Sequence, residues 1–370
     1  MQIKNRVYIT TTTSVSCAGQ NNQILFQNIL SGVTGIKQDR EYFFNASPAL
    51  GKLNTEDTFF DVLISECKKI LDNSQLKNYE ETLLVIGSSV GGMQTTENMY
   101  MQTREYADID PNMHHIQVIS NCLTDAFGFY DDVSFSTACT SSANAIGYAY
   151  EVLSKGLYKN VLVVGADSLS QTTVGGFLAL GVLSSNPCKP FDENRDGMNV
   201  SEAVACLLLE TQSRDGCMEV CGVGYSSDAY HMTHPKPKGE GALYAMQKAL
   251  DMAKITSKDI DYINAHGTGT EANDSAEAEA IVSLFPHKPF VSSTKSITGH
   301  TLGAAGALEA IVSSMVIEKQ VLPANHFLQN PSNTEINLCN DASDTDIQYV
   351  MSNSFAFGGN NCSLIFGRLK

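Results

Sequence analysis

The chain has 370 residues, 43% hydrophobic and 17% charged, which is long enough for about two units of ordinary domain size and gives no sign of disorder. A formal net charge of −16 speaks against nucleic acid as a general partner, because phosphate binding needs a basic face, and it makes an acidic protein partner awkward unless Lys and Arg cluster locally. The ten cysteines, at 17, 67, 122, 139, 188, 206, 217, 221, 339 and 362, form no CxxC pair, so they read as reduced thiols and imply no metal site.

Met1 to Thr10 alternates like a strand and lacks the apolar block of a signal peptide. No segment approaches the about 18 consecutive apolar residues of a membrane span. The expectation is a soluble, cytoplasmic protein without membrane contact. Residues 6–12 predict a first strand, 14–19 a loop and 22–30 a helix, while 32–47 has no clear period. Residues 55–71 predict an amphipathic helix, with Phe59, Val62, Leu63, Cys67, Ile70 and Leu71 on one side. The apolar run 82–86 reads as a buried parallel strand, and 87–92 after it as a tight turn, because its glycine spacing fits no nucleotide fingerprint.

Next comes Ser136-Thr137-Ala138-Cys139-Thr140-Ser141-Ser142, small residues around one thiol. A β-rich segment, 132–136, precedes it, and apolar residues near helical spacing follow at Ala143, Ile146, Ala149, Tyr150 and Leu153. Cys139 therefore stands at a strand-to-helix turn, where free N–H groups and the helix dipole favour thiolate and lower the pKa. On this heptapeptide alone, a buried and inert packing cysteine is an equal reading. Residues 160–167 form the clearest buried strand, 204–210 is another, and the first half reads as alternating β and α with at least five strands.

The second half repeats that logic. Strands are expected at 218–225, 260–264, 290–293, 349–354 and 362–366, and helices over 241–253, through Ala276, Ala280 and Leu284, and over 304–318. Three loops at strand ends thus carry Cys139, His266, and Lys295 with His300. In α/β sheets ligands bind beyond the carboxyl ends of strands, so these groups can share one pocket.

At this point the sequence resembles the β-ketoacyl-acyl-carrier-protein synthases of the elongating, Cys-His-His branch of the thiolase superfamily. The resemblance rests on TACTSSA around Cys139, PFDENRDG (190–197), SSDAYHMT (226–233), NAHGTGT (264–270), SSTKSITGHTLGAAGALE (292–309) and NSFAFGGNN (353–361), in the family's order. The first 80 residues fit only loosely. The resemblance implies an α/β thiolase-like fold of two similar βα halves, here 1–210 and 211–370, layered α-β-α-β-α, with no cofactor. It implies acyl carrier protein as partner and a homodimer, or a heterodimer with a related subunit.

The implied reaction has two steps. Cys139 takes an acyl group from a thioester; malonyl-carrier protein then loses CO2 and its carbanion attacks the acyl-enzyme, giving a 3-oxoacyl product. By resemblance His266 and His300 stabilise the enolate, Lys295 pairs with Glu309 and orients the site, and Asp274 and Glu277 support it. The backbone N–H groups of Cys139 and of the turn at Phe357 and Gly358 would receive the thioester oxygen, with Phe357 as a gate. Val90 stands where the family limits acyl depth, Phe177 is a further lining candidate, and the small Val90 side chain suggests medium or long acyl chains.

The sequence also departs from the family. Met198 to Ala203 replaces the usual small-residue segment after RDG, and Gly181 stands where many fatty-acid members carry an Arg for carrier docking, with Lys189, Arg195, Lys236 and Lys238 as candidate substitutes. These departures favour a specialised polyketide or polyene pathway over housekeeping fatty-acid elongation. A noncatalytic chain-length-factor-like subunit would lack the cysteine, and intact Cys139, His266 and His300 weigh against it. A thiolase would need a second catalytic cysteine, which 354–361 lacks, and an initiating synthase would carry Asn where His300 stands.

Overall fold

The computed structural model describes residues 5–40, 47–76 and 78–369. The alternating start therefore lies partly outside the described residues, as does part of 32–47.

In the first half, β1 (Tyr8–Ser16) leads into α1 (Asn22–Ser31); β2 (Lys37–Gln38) and β3 (Ala49–Leu50) form a small ribbon, followed by α2 (Phe59–Asn73) and β4 (Thr82–Gly87). Helices α3 (Met93–Thr103) and α4 (Gln117–Phe127) precede β5 (Asp132–Phe135), α5 (Ser141–Ser154), β6 (Asn160–Asp167), α6 (Gln171–Ala179) and β7 (Ala203–Glu210). The second half comprises β8 (Met218–Ser227), α7 (Glu240–Ala253), β9 (Tyr262–Asn264), α8 (Glu271–Leu284), β10 (Phe290–Ser292), the single turn α9 (Lys295–Thr298) and α10 (Ala305–Lys319). It closes with β11 (Val321–Leu322), β12 (Asn337–Leu338), β13 (Ser343–Asp344), β14 (Tyr349–Phe355) and β15 (Asn360–Arg368).

Two boundaries differ from the sequence reading for physical reasons. β1 continues to Ser16, where a loop is expected, because it pairs with β7 as far as Ser16 opposite Ala203. α2 begins at Phe59 rather than 55, because Thr58 and Asp61 make a reciprocal capping box that starts the helix there.

Among the described residues the main sheet has eleven strands in the order β12-β10-β9-β14-β15-β8-β1-β7-β6-β4-β5. Outward from the β1–β8 junction, both arms follow one pattern. β1 and β7 are antiparallel, β7 and β6 antiparallel, and β6, β4 and β5 parallel. β8 and β15, then β15 and β14, are likewise antiparallel, and β14, β9 and β10 are parallel.

α5 and α10 pack against each other and against strands of both arms. They form the middle of the largest core, with Ile146, Ala149, Leu153, Leu308, Ile311 and Val312 buried beside inward-facing residues of both arms. A second core lies under α2 and α4, and a third under α7 and α8. The result is α-β-α-β-α layering, and it explains the apolar runs: β6 and β7 are covered on both faces. Gly306 makes the central packing possible, since a Cβ there would stand 2.6 Å from the Ala143 nitrogen.

Candidate active site

Cys139 stands in the turn between β5 and α5. Ala138 adopts φ +53°, a strained conformation for a residue with a Cβ. Local bonds hold it: Ser141 Oγ accepts from the Thr137 N–H at 3.0 Å and donates to the Ala138 carbonyl at 2.6 Å, which also accepts from Ser89 Oγ at 2.9 Å. Gly87, ending β4, lets α5 approach, since a Cβ there would lie 2.4 Å from the Ser142 Cα.

The thiol corrects one expectation. Burial pushes Cys139 up to about 11; Lys295, the Phe357 N–H and its own N–H pull it down without overcoming burial. The helix start alone predicts a lowered value, but Cys139 is only 8% exposed and desolvation of the charged form dominates. Alkylation by iodoacetamide should therefore climb about tenfold per pH unit from about 7 to 10, with no plateau near 8.5.

His266 follows β9 and His300 follows α9. A ring nitrogen of each and Cys139 Sγ all lie within 4.8 Å of one another. The rings meet edge to face at 5.2 Å between centroids and 86°. His300 Nδ1 accepts from the Leu302 N–H at 3.0 Å, so the ring proton sits on Nε2, which is buried without a partner. Lys295 Nζ faces His266 Nδ1 at 3.4 Å, which likewise puts the His266 proton on Nε2. Burial first, then Lys295, holds both imidazoles well below the usual histidine value. Both rings are therefore neutral hydrogen-bond donors.

Lys295, 1% exposed, pairs with Glu309 across the start of α10. Burial pushes the Glu309 carboxyl up while Lys295 opposes, and Glu309 Oε2 has no partner. The 198–203 segment seats His300: the His300 N–H donates to the Asn199 carbonyl at 2.7 Å, and the Ser201 N–H donates to the His300 carbonyl at 3.0 Å.

Asp274 and Glu277 are buried on α8. Glu277 accepts from the His266 and Gly267 N–H groups, each at 2.9 Å, and from Asn353 at 3.1 Å, so it fixes the His266 loop. Asp274 accepts from the Phe191 N–H at 2.8 Å and the Gly269 N–H at 3.2 Å. Burial pushes Glu277 from 4.5 up to about 7, against those donors. Since the folded value is the higher one, the stabilising contribution is complete below about 4.5 and is lost as pH rises through about 7. Melting curves check this: relative to Glu277→Gln, the wild type should lose roughly 3 kcal/mol at most between about pH 4.5 and 8.

Asp167 escaped the sequence reading. It ends β6, fully buried, and accepts from Ser88 Oγ at 2.6 Å and from the Ser89, Val90 and Gly303 N–H groups at 2.9, 2.9 and 2.6 Å. One carboxylate thus joins the β4 turn to the loop after His300. A lone acid closing an otherwise apolar strand was the available signal.

The cleft over Cys139 is lined by both histidines, Phe177, Met198, Phe357 and Gly358, among others. The Phe177 and Phe357 rings lie 6.1 Å apart. Val90 packs behind, in an apolar cluster with Leu50, Leu169, Val174, Val200 and Leu302. Arg195 is not a free docking cation: it donates to Ser275 at 2.9 Å and to the Asp192 carbonyl at 2.7 Å, and lies 3.9 Å from Asp274. Lys236 pairs with Glu240.

Residues 40–215 match the family model of the β-ketoacyl synthase N-terminal domain and 217–329 that of the C-terminal domain. The chain belongs to the β-ketoacyl synthase family. It is 32% identical to 3-oxoacyl-[acyl-carrier-protein] synthase 2 of Staphylococcus aureus (strain COL), over 100% of both proteins. The Coxiella burnetii protein of the same name is also 32% identical, over 99% of each. Among solved structures, the ketosynthase ApeO in complex with its chain length factor ApeC from Xenorhabdus doucetiae superposes with a TM-score of 0.89 at 31% identity, covering 99% of this chain and 98% of that one. A β-ketoacyl synthase from Burkholderia phymatum gives 0.90 at 28%, covering 99% and 100%. The likeness thus includes the first 80 residues, which fit the family loosely by motif.

Proposed function

We propose that this protein is a 3-oxoacyl-[acyl-carrier-protein] synthase that joins an acyl thioester to malonyl-carrier protein with loss of CO2. The observation carrying this reading is the pair of neutral imidazoles turning Nε2–H toward the space above a buried thiol. Cys139 Sγ attacks the acyl thioester, the carrier thiolate leaves, and the cysteine proton ends on that leaving thiol. The Cys139 and Phe357 N–H groups receive the oxyanion. Malonyl-carrier protein then binds, and its C–CO2 bond breaks. The electron pair moves onto the thioester oxygen, where the His266 and His300 N–H groups meet it. The resulting carbanion attacks the acyl carbonyl, the bond to Cys139 breaks, and the sulfur takes up a proton.

Lys295 holds His266 in the Nε2–H tautomer, Glu309 balances the buried ammonium, and Asp274 and Glu277 fix the loops. Lys295 also argues against a metal on the Cys139–His266–His300 set, since a second cation would sit beside a buried ammonium. Phe357 and Gly358 serve as the gate, while Phe177 and, behind it, Val90 bound the acyl chain. We place the enzyme in the cytoplasm as one subunit of a dimer; among the described residues no helix is long and apolar enough to cross a membrane.

Intact-mass spectrometry tests the reading. Incubated with acyl-carrier proteins of several chain lengths, the wild type should gain one acyl mass and release it as a 3-oxoacyl product when malonyl-carrier protein is added. Cys139→Ala should gain none and lose condensation at least about 10³-fold. If the wild type gains no acyl group from any carrier, the noncatalytic-subunit reading replaces this one.

A further inference from the structure

Two residues that carry a Cβ stand in the left-handed region beside the reacting groups. Ala138, at φ +53°, precedes Cys139, and Leu302, at φ +52°, lies two residues after His300. Such conformations persist only where the surroundings over-determine them. Both lead back to the carboxylate of Asp167, fully buried at the end of β6.

The two oxygens of that carboxylate serve different sides. Oδ1 accepts from Ser88 Oγ at 2.6 Å and from the Ser89 and Val90 N–H groups at 3.0 and 2.9 Å, while Oδ2 accepts from the Ser89 N–H at 2.9 Å and the Gly303 N–H at 2.6 Å. On the thiol side, Ser89 held in this way turns its Oγ to the Ala138 carbonyl. On the imidazole side, the peptides flanking Leu302 send their N–H groups to two acceptors, the one before it to His300 Nδ1 and the one after it to Asp167 Oδ2. With the second peptide anchored, the turn at Leu302 is anchored, and its N–H stays on His300. Gly303 permits the approach, since a Cβ there would stand 2.6 Å from the Ser89 nitrogen and 2.8 Å from Asp167 Oδ2.

Ser88 Oγ and the three N–H groups are all donors toward Asp167, so the place calls for a group that only accepts. Burial pushes the Asp167 carboxyl up, and these donors oppose it. We propose that Asp167 is a positioning residue of the enolate-forming step: through Gly303 it locks the Leu302 turn, and through Leu302 it keeps His300 in the Nε2–H tautomer. It touches no reacting atom. For the enolate this rests on the synthase reading, whereas the tautomer is a property of the ring itself.

The test is Asp167→Asn, which keeps the shape of the side chain. Oδ1 meets three of the donors, so the amide oxygen keeps that place and the NH2 group turns against the Gly303 N–H. Histidine is labelled with 15N, and the His300 signals are assigned by their absence from His300→Ala. The wild type should show an unprotonated Nδ1 and a protonated Nε2; in the variant the two signals should move toward each other, as for exchanging tautomers. CO2 release from malonyl-carrier protein should fall at least about tenfold, short of the 10²- to 10³-fold cost of losing a donor outright. Acyl loading, read by intact mass, should stay within about threefold of wild type. The Asp167 charge is one of those that raise the Cys139 thiol, so neutralising it does not hinder the sulfur.

Gly303→Ala leaves Asp167 in place and pushes the turn away from it. It should change the His300 ring in the same way, and it carries the test should Asp167→Asn fail to fold. A His300 ring unchanged in either folded variant, or loading and CO2 release falling together in Asp167→Asn, would overturn the proposal. Absence of both activities in the wild type would instead sink the synthase reading, and the ring nitrogens would still report whether Asp167 holds His300.

Discussion

Replacing His300 by alanine should lower condensation about 10²- to 10³-fold, the usual cost of one oxyanion donor, while Cys139 still accepts an acyl group. The separation follows from geometry. His300 Nε2 is a buried donor without a partner, so its hydrogen bond is made only when negative charge develops above Cys139. The sulfur draws its own support from the Phe357 N–H and Lys295 instead. Loading is read by intact mass, and decarboxylation by CO2 release from malonyl-carrier protein. His300→Asn keeps a donor near the same place and should recover part of the decarboxylation. Equal loss of loading and decarboxylation in His300→Ala would show that the imidazole acts on the thiol, not on the enolate.

What the sequence disclosed depends on burial. β6 and β7 were legible because both faces are covered, which leaves unbroken apolar runs over 161–166 and 203–209. α3 was not, because residues 97–117 bury nothing and so carry no period. The meeting of Cys139, His266 and His300 could be inferred from their places after strands, since the loops beyond the parallel strands of both arms open to the same side. Their tautomers could not, because these depend on the Leu302 N–H and on Lys295, which the chain brings in from elsewhere. The Cys139 pKa was misjudged for the same reason. A helix start is visible in sequence, whereas the degree to which a thiol is shut away from water is not. Arg195, offered as a docking cation, is bound to the chain itself, and composition cannot distinguish such an arginine from a free one.

Replacing Lys295 by methionine should destabilise the fold by about 3–5 kcal/mol, because it leaves Glu309 buried without its counter-charge. The stem of Lys295 has close to the volume of methionine, so the loss comes from charge rather than from a cavity. Glu309 already carries an unpartnered Oε2, and without Lys295 neither oxygen meets a cation. The double variant Lys295→Met/Glu309→Leu removes both charges and should regain most of the melting temperature. It should not regain activity. With Lys295 gone, nothing donates to His266 Nδ1, the ring is free to carry its proton on either nitrogen, and the donor facing the enolate is present only part of the time. The repulsion that Lys295 exerts on the imidazolium is also lost, so His266 should titrate at higher pH in the double variant than in the wild type, as followed by NMR of the ring. Recovery of stability without recovery of condensation separates the positioning of His266 from the maintenance of the fold; recovery of both would reduce Lys295 to a structural ion pair.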